Sequence, residues 1–209
     1  MAKIGLIDYG MGNLYSVQQA FKRLNQPVDI VRKLNELKVC DALILPGVGA
    51  FDPAMVNLEK TDLIPHIKNW VKNGKPLLGI CLGLQLLFES SDEGNSEGLG
   101  LIKGHIHRLP QEIDERIPHM GWSPIKEINE CPLLKNDLDS KWMYFVHSYA
   151  ASPLEKKNLI ATAKFGNSDV TAIVWHKNSG ACQFHPEKSG NAGQRLLYRW
   201  IKWLQDCNY

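Results

Sequence analysis

A cysteine set between glycines, a histidine, and a glutamate two residues after that histidine are the side chains here that could together perform acyl transfer. Cys81 stands in Gly79-Ile80-Cys81-Leu82-Gly83-Leu84-Gln85, where an apolar run gives way to a helix-forming one. This is the pattern of a nucleophile elbow with cysteine in place of serine. Small flanking residues relieve crowding at a tight strand-to-helix turn, the side chain is thrust above the sheet, and a helix N-terminus favours a thiolate. Downstream, Ala181-Cys182-Gln183-Phe184 runs into His185-Pro186-Glu187. In an extended backbone residues i and i+2 point to the same side, so Glu187 is expected to reach one imidazole nitrogen of His185. That contact fixes the tautomer and leaves the other nitrogen to serve a nucleophile. A buried core cysteine and a solvated His-x-Glu pair are each commonplace; their coincidence at two strand ends favours a Cys–His–acid triad.

Acyl transfer also needs donors for the oxyanion. Pro46-Gly47-Val48-Gly49-Ala50-Phe51 is a glycine loop at the end of another apolar run and could turn backbone N–H groups toward the elbow. Other constellations fail. Gly10-Met11-Gly12-Asn13-Leu14-Tyr15 has Tyr where a dinucleotide fingerprint needs its third glycine, and Gly74-Lys75-Pro76 lacks the Ser or Thr of a phosphate-binding loop. His105 and His107 could share one strand face, but no third ligand of matching spacing is evident, so no metal and no cofactor are expected. His147 ends an apolar run and fits either a core position or the rim of the same cleft.

The elements that must position these groups read as an α/β fold. Short apolar runs at 4–7, 28–31, 42–45 and 76–80 predict buried parallel strands, and periodic stretches around Leu14–Leu24 and Leu63–Val71 predict helices between them. The second half changes character: runs at 103–109, 122–128, 143–147, 159–165, 170–175 and 181–184 predict strands of a mixed sheet with few helices between them. Leu196, Leu197, Trp200, Ile201 and Leu204 then predict a final amphipathic helix packed back onto the sheet.

With 209 residues, 44% hydrophobic and 22% charged, the chain has the composition of one ordinary globular domain spanning 1–209. Its 24 Lys and Arg against 22 Asp and Glu leave a net charge of +2 without basic clusters, which argues against nucleic acid as a partner. The apolar stretch at the N-terminus meets Asp8 too early for a signal-peptide core or a membrane span. Five cysteines without C-x-x-C spacing fit reduced thiols, and a cytoplasmic protein is expected.

The loop Pro46-Gly47-Val48-Gly49, the elbow around Cys81 and His185-Pro186-Glu187 resemble the class I (triad) glutamine amidotransferases, and the resemblance covers the whole chain. Within that family, Asp8 to Asn13, Pro118-His119-Met120-Gly121-Trp122, Tyr144 to Tyr149 and Lys188 look most like members that feed ammonia to a separate cyclase of histidine biosynthesis. The resemblance implies an open, mostly parallel mixed sheet flanked by helices, with additional antiparallel strands in the second half. It implies that Cys81 attacks the side-chain amide of L-glutamine, that His185 and Glu187 complete the triad, and that Leu82 with Val48 and Gly49 supplies the oxyanion donors. It further implies glutamine contacts at Gln85, Ser148 and Tyr149. The partner it implies is a (β/α)8-barrel cyclase or synthase subunit, bound one-to-one through a face including Asn13, Tyr144 and Lys188. Ammonia delivery to another acceptor such as a nucleotide-linked sugar, a non-catalytic scaffold, and a cysteine peptidase on a related sheet are the alternatives.

Overall fold

The computed structural model describes residues 2–111, 115–135, 139, 141–207 and 209. In the first half, strands and helices alternate: Ile4–Ile7 (β1), Leu14–Arg23 (α1), Val28–Val31 (β2), Leu34–Lys38 (α2), Ala42–Leu45 (β3), Phe51–Glu59 (α3), Ile64–Lys72 (α4), Leu77–Ile80 (β4) and Leu82–Leu86 (α5). The second half is strand-rich: Ser90–Ser91 (β5), Gly104–Arg108 (β6), His119–Glu127 (β7), Trp142–His147 (β8), Tyr149–Pro153 (β9), Leu159–Phe165 (β10), Ser168–His176 (β11) and Ser179–Cys182 (β12), closed by Gly190–Asp206 (α6).

A nine-stranded sheet runs β2-β1-β3-β4-β12-β11-β10-β7-β8. Its first five strands are mutually parallel and the rest antiparallel. β1, β3, β4 and β12 are buried on both faces, while the edge strand β2 exposes Asp29, and their side chains alternate between two cores. Ile4, Leu6, Ile44, Leu78 and Ile80 join α1 and α6 on one side, where Phe21 meets Trp200 edge-on at 5.9 Å. Ile7, Leu43, Leu45 and Leu77 join α3 and α4 on the other, with Phe51, Leu58, Ile67 and Trp70. Among the described residues no helix is long and apolar enough to cross a membrane.

The second half departs from the sequence reading in three places. The run at 103–109 does not enter the large sheet: β6 belongs to a separate three-stranded sheet, β5-β6-β9. Only Ile106 of β6 is buried, so this strand has one apolar side chain to offer and lies over the α3 and α4 core instead of inside the main sheet. Strands β5 and β9 were not foreseen, because Ser-Ser and Tyr-Ala-Ala-Ser-Pro show no apolar alternation. The strand expected at 181–184 is shifted to Ser179–Cys182. Its register with β4 ends at Ile80↔Cys182, and Phe184 is buried beyond it against Phe145, with ring centroids 5.5 Å apart. There the apolar run outlasts the pairing.

Candidate active site

Strand β4 delivers Cys81 at its C-terminal end, in the crevice where open α/β sheets place their sites. The residue has φ 55° and ψ −111°, a left-handed conformation that costs a side chain about 1–3 kcal/mol and persists only where the surroundings enforce it. They do so here. The Cys81 N–H donates to the Cys182 carbonyl at 2.8 Å, and the Cys81 carbonyl takes the Leu84 N–H at 2.9 Å. Glycine is required at position 83, since a Cβ there would run into the backbone carbonyl of Leu45.

His185 lies beyond β12, on the strand next to β4 in the sheet. Its Nδ1 is 2.8 Å from Glu187 Oε1, and both side chains are almost wholly buried. The contact arises differently from the sequence expectation. The backbone is not extended here; Pro186–Lys188 forms a single 3-10 turn that folds Glu187 back toward the imidazole. The turn is braced from β8: His185 N–H donates to the Tyr144 carbonyl, the Ser189 hydroxyl donates to the His185 carbonyl at 2.6 Å, and Tyr144 N–H donates to Ser189 Oγ. Burial works against the charged form of His185. Hydrogen bonds and charge interactions with Cys81 and Glu187 outweigh it and push the imidazole up to about 10, so the protonated ring is the form this site favours.

A cavity of about 300 Å³ opens over these groups. Eight of the expected residues line it: Val48, Gly49, Cys81, Leu82, Gln85, Ser148, Tyr149 and His185. Glu187 supports His185 from behind. Glu93, which had not stood out in the sequence, completes the wall with Pro118 and Val146 of the two motifs quoted above, and His147, which sequence left between core and rim, is both buried and on the cavity surface. The Leu82 N–H donates to the Gly47 carbonyl at 3.3 Å, and Gly49 holds φ 107°. Beneath the loop, the Tyr9 hydroxyl donates to the Pro46 carbonyl at 2.8 Å.

Gln85 is buried, not a polar residue on an exposed helix face. Its amide donates to the Tyr149 carbonyl and to Gln183 Oε1, both at 3.1 Å. With its oxygen so engaged, Gln183 turns its own NH₂ toward Cys81 Sγ at 3.9 Å. Sequence reasoning missed Gln183: it is fully buried, and no pattern in the neighbouring residues marks it. The three residues assigned to a docking face do not line the cavity. Asn13 is exposed and caps α1 by accepting the Ser16 N–H. Tyr144 is half-buried with its ring edge-on to Trp122, and Lys188 is exposed in the 3-10 turn. Near them the outward face of β7 and β8 exposes Met120, Trp122 and Trp142, each more than half accessible.

A family model described as "Glutamine amidotransferase class-I" matches residues 5–203. The chain is 72% identical over 205 residues to the imidazole glycerol phosphate synthase subunit HisH of Prochlorococcus marinus (strain NATL2A), covering 98% of each chain. It is 58% identical over 203 residues to the HisH of Synechococcus sp. (strain CC9605), covering 97% of this chain and 95% of that protein. Among solved structures, a crystal structure of a glutamine amidotransferase superposes with a TM-score of 0.74 at 20% identity, covering 95% of this chain and 97% of the other. PurLQS from Thermotoga maritima superposes with a TM-score of 0.72 at 18% identity, covering 98% of this chain and all of the matched one; these two likenesses concern the fold. A family match over nearly the whole length, joined to such identity with the HisH proteins, settles the kinship: the chain is an enzyme subunit belonging to the class I glutamine amidotransferases, in the HisH group of imidazole glycerol phosphate synthase subunits.

Proposed function

We propose that the chain hydrolyses L-glutamine to glutamate and ammonia and passes the ammonia to a (β/α)8-barrel cyclase subunit bound one-to-one. There it enters the synthesis of imidazole glycerol phosphate and an aminoimidazole carboxamide ribotide. The observation carrying this reading is the meeting, in one cavity, of Cys81 on its elbow with an imidazole held by Glu187. Cys81 Sγ attacks the carboxamide carbon, His185 protonates the departing ammonia, and the resulting thioester is hydrolysed by a water that His185 activates. Gln85, Ser148 and Tyr149 bind the substrate, with Gln183 holding the Gln85 amide in place. No step requires a metal or cofactor.

The oxyanion takes N–H groups from Leu82 and from Val48 or Gly49. With the Leu82 N–H donated to the Gly47 carbonyl, rotating the Gly47–Val48 peptide would exchange that carbonyl for the Val48 N–H and free both donors. This supports a resting subunit that the partner switches on, because ammonia released without an acceptor is protonated and lost. The exposed Met120, Trp122 and Trp142, beside Tyr144 and Lys188, support docking at that face. The five free cysteines support a reducing, cytoplasmic setting.

The test is Cys81→Ser. Glutamine-dependent turnover of the complex should fall by at least about a thousandfold. Ammonia supplied in solution should still drive the cyclase, and the variant should co-elute with it as a one-to-one complex. Glutamine-dependent turnover retained within tenfold of the unmodified complex would overturn the assignment.

A further inference from the structure

On the far side of the second sheet, three side chains converge that the glutaminase reaction does not use. His105 and His107 alternate with buried Ile106 on β6, so both imidazoles stand on one face, and their centroids are 4.6 Å apart. The third donor, which spacing in sequence could not reveal, is Asp92. It follows β5, which pairs in parallel with β6, and its N–H donates to the Ile106 carbonyl at 2.8 Å. That register sets the carboxylate over both rings: Oδ1 lies 2.7 Å from His105 Nε2 and Oδ2 3.4 Å from His107 Nδ1.

We propose that Asp92, His105 and His107 bind a divalent transition-metal ion, zinc first among them. The ligating atoms lie within 4.8 Å of one another. Donors bound at about 2.0–2.2 Å around a tetrahedral zinc stand roughly 3.3–3.5 Å apart, so small side-chain rotations suffice. Two imidazole nitrogens and one carboxylate oxygen suit zinc, nickel or copper better than calcium or magnesium, and solvent can take the fourth position. The ligands are already oriented from behind. Ser90 Oγ lies 2.7 Å from His105 Nδ1, which directs Nε2 at the site, and Arg108 N–H donates to Asp92 Oδ2 at 3.1 Å. A surface ion pair would need one histidine; here two rings share one carboxylate. The site is separate from the cavity. One link to the catalytic side is the next residue, Glu93, whose carboxylate accepts the Phe51 N–H at the start of α3, so a bound ion braces the second sheet against that helix.

The experiment uses the full, untagged chain after chelation. Calorimetric titration should give one zinc per chain, and at about 100-fold excess over the dissociation constant the thermal midpoint should rise by roughly 5–10 °C. Cobalt in place of zinc should give visible d–d bands without thiolate charge transfer. His105→Asn and His107→Asn should each weaken binding by tenfold or more, and glutaminase activity should survive chelation. Absence of zinc binding, equal binding by the double His105→Asn/His107→Asn variant, or a thiolate–cobalt band would overturn the proposal.

Discussion

His147 lines the cavity as a neutral imidazole, and its surroundings make acid expensive for this fold. Its Nδ1 faces the Tyr149 carbonyl at 2.9 Å, which can only accept, so Nδ1 carries the hydrogen and Nε2 accepts from His119 Nδ1 at 3.1 Å. His119 Nε2 then accepts from the Ser123 hydroxyl at 2.9 Å. A proton added to His147 would set two N–H groups against each other. Burial first, and the neighbouring His119 and His185 after it, hold the imidazole down at about 3 against an ordinary 6.5. Between those values the unfolded chain binds the extra proton and the folded chain does not, so stability is full above about pH 6.5 and is lost as pH falls toward about 3. From pH 7 to pH 5 the loss is about 2 kcal/mol. His185 runs the other way: pushed up to about 10, it stabilises fully below its unfolded value and its contribution disappears as pH rises through about 10, adding just under about 1 kcal/mol on going from pH 7 to pH 5. The clean quantity is therefore a difference. Urea unfolding followed by tryptophan fluorescence at both pH values should show that His147→Asn, which can still donate to Tyr149, loses about 2 kcal/mol less than the parent over this interval. Equal pH dependence in parent and variant would refute the neutral, buried assignment.

A chloroketone analogue of glutamine should alkylate Cys81 and leave Cys40, Cys131 and Cys182 unmodified, since burial pushes the first two thiols up to about 11 and holds the third well above its usual value. Peptide mass mapping reads the outcome, with exposed Cys207 as the internal comparison. Glu187→Gln should lower kcat of the complex by about 10²–10⁴-fold with little change in KM, because it removes the charge that holds His185 without emptying the position; unaltered kcat would dismiss the triad acid. Lys188→Ala should change stability by less than about 0.5 kcal/mol, as an exposed residue does, yet reduce the ratio of partner-stimulated to basal glutaminase rate. An unchanged ratio would remove Lys188 from the coupling.

How much of this was legible in the sequence depended on whether local pattern and tertiary pairing agreed. β1, β2 and β3 begin and end where their apolar runs do: β1 and β3 are buried on both faces, need no alternation and are cut off by Asp8 and Pro46, while the edge strand β2 exposes Asp29. Cys81 was readable because an elbow writes its steric demand into adjacent glycines. The approach of Glu187 to His185 was foreseen from the wrong backbone, since a 3-10 turn and a strand can both bring residues two apart together, and only the Tyr144 and Ser189 braces decide between them. Gln183 and Asp92 left no local trace. Gln183 acquires its role from Gln85, 98 positions away in the chain, and Asp92 from the parallel register of β5 with β6.

The adjacency of β4 and β12 has a consequence for how this site would fail. Nucleophile and base extend from hydrogen-bonded neighbours near the middle of the nine-stranded sheet, with Ile80 opposite Cys182, so their separation is governed by one interstrand spacing of about 4.8 Å. Fraying of the outer strand β2 leaves that spacing alone, whereas loss of β8 would release the Tyr144 and Ser189 braces that hold His185. The pairing of Cys81 with His185 thus rests on three strands, the central β4 and β12 and the outer β8. Heat would part the two once β8 or the central strands let go, whereas the exposed Val48 and Gly49 beside them can rearrange at temperatures where the strands are intact.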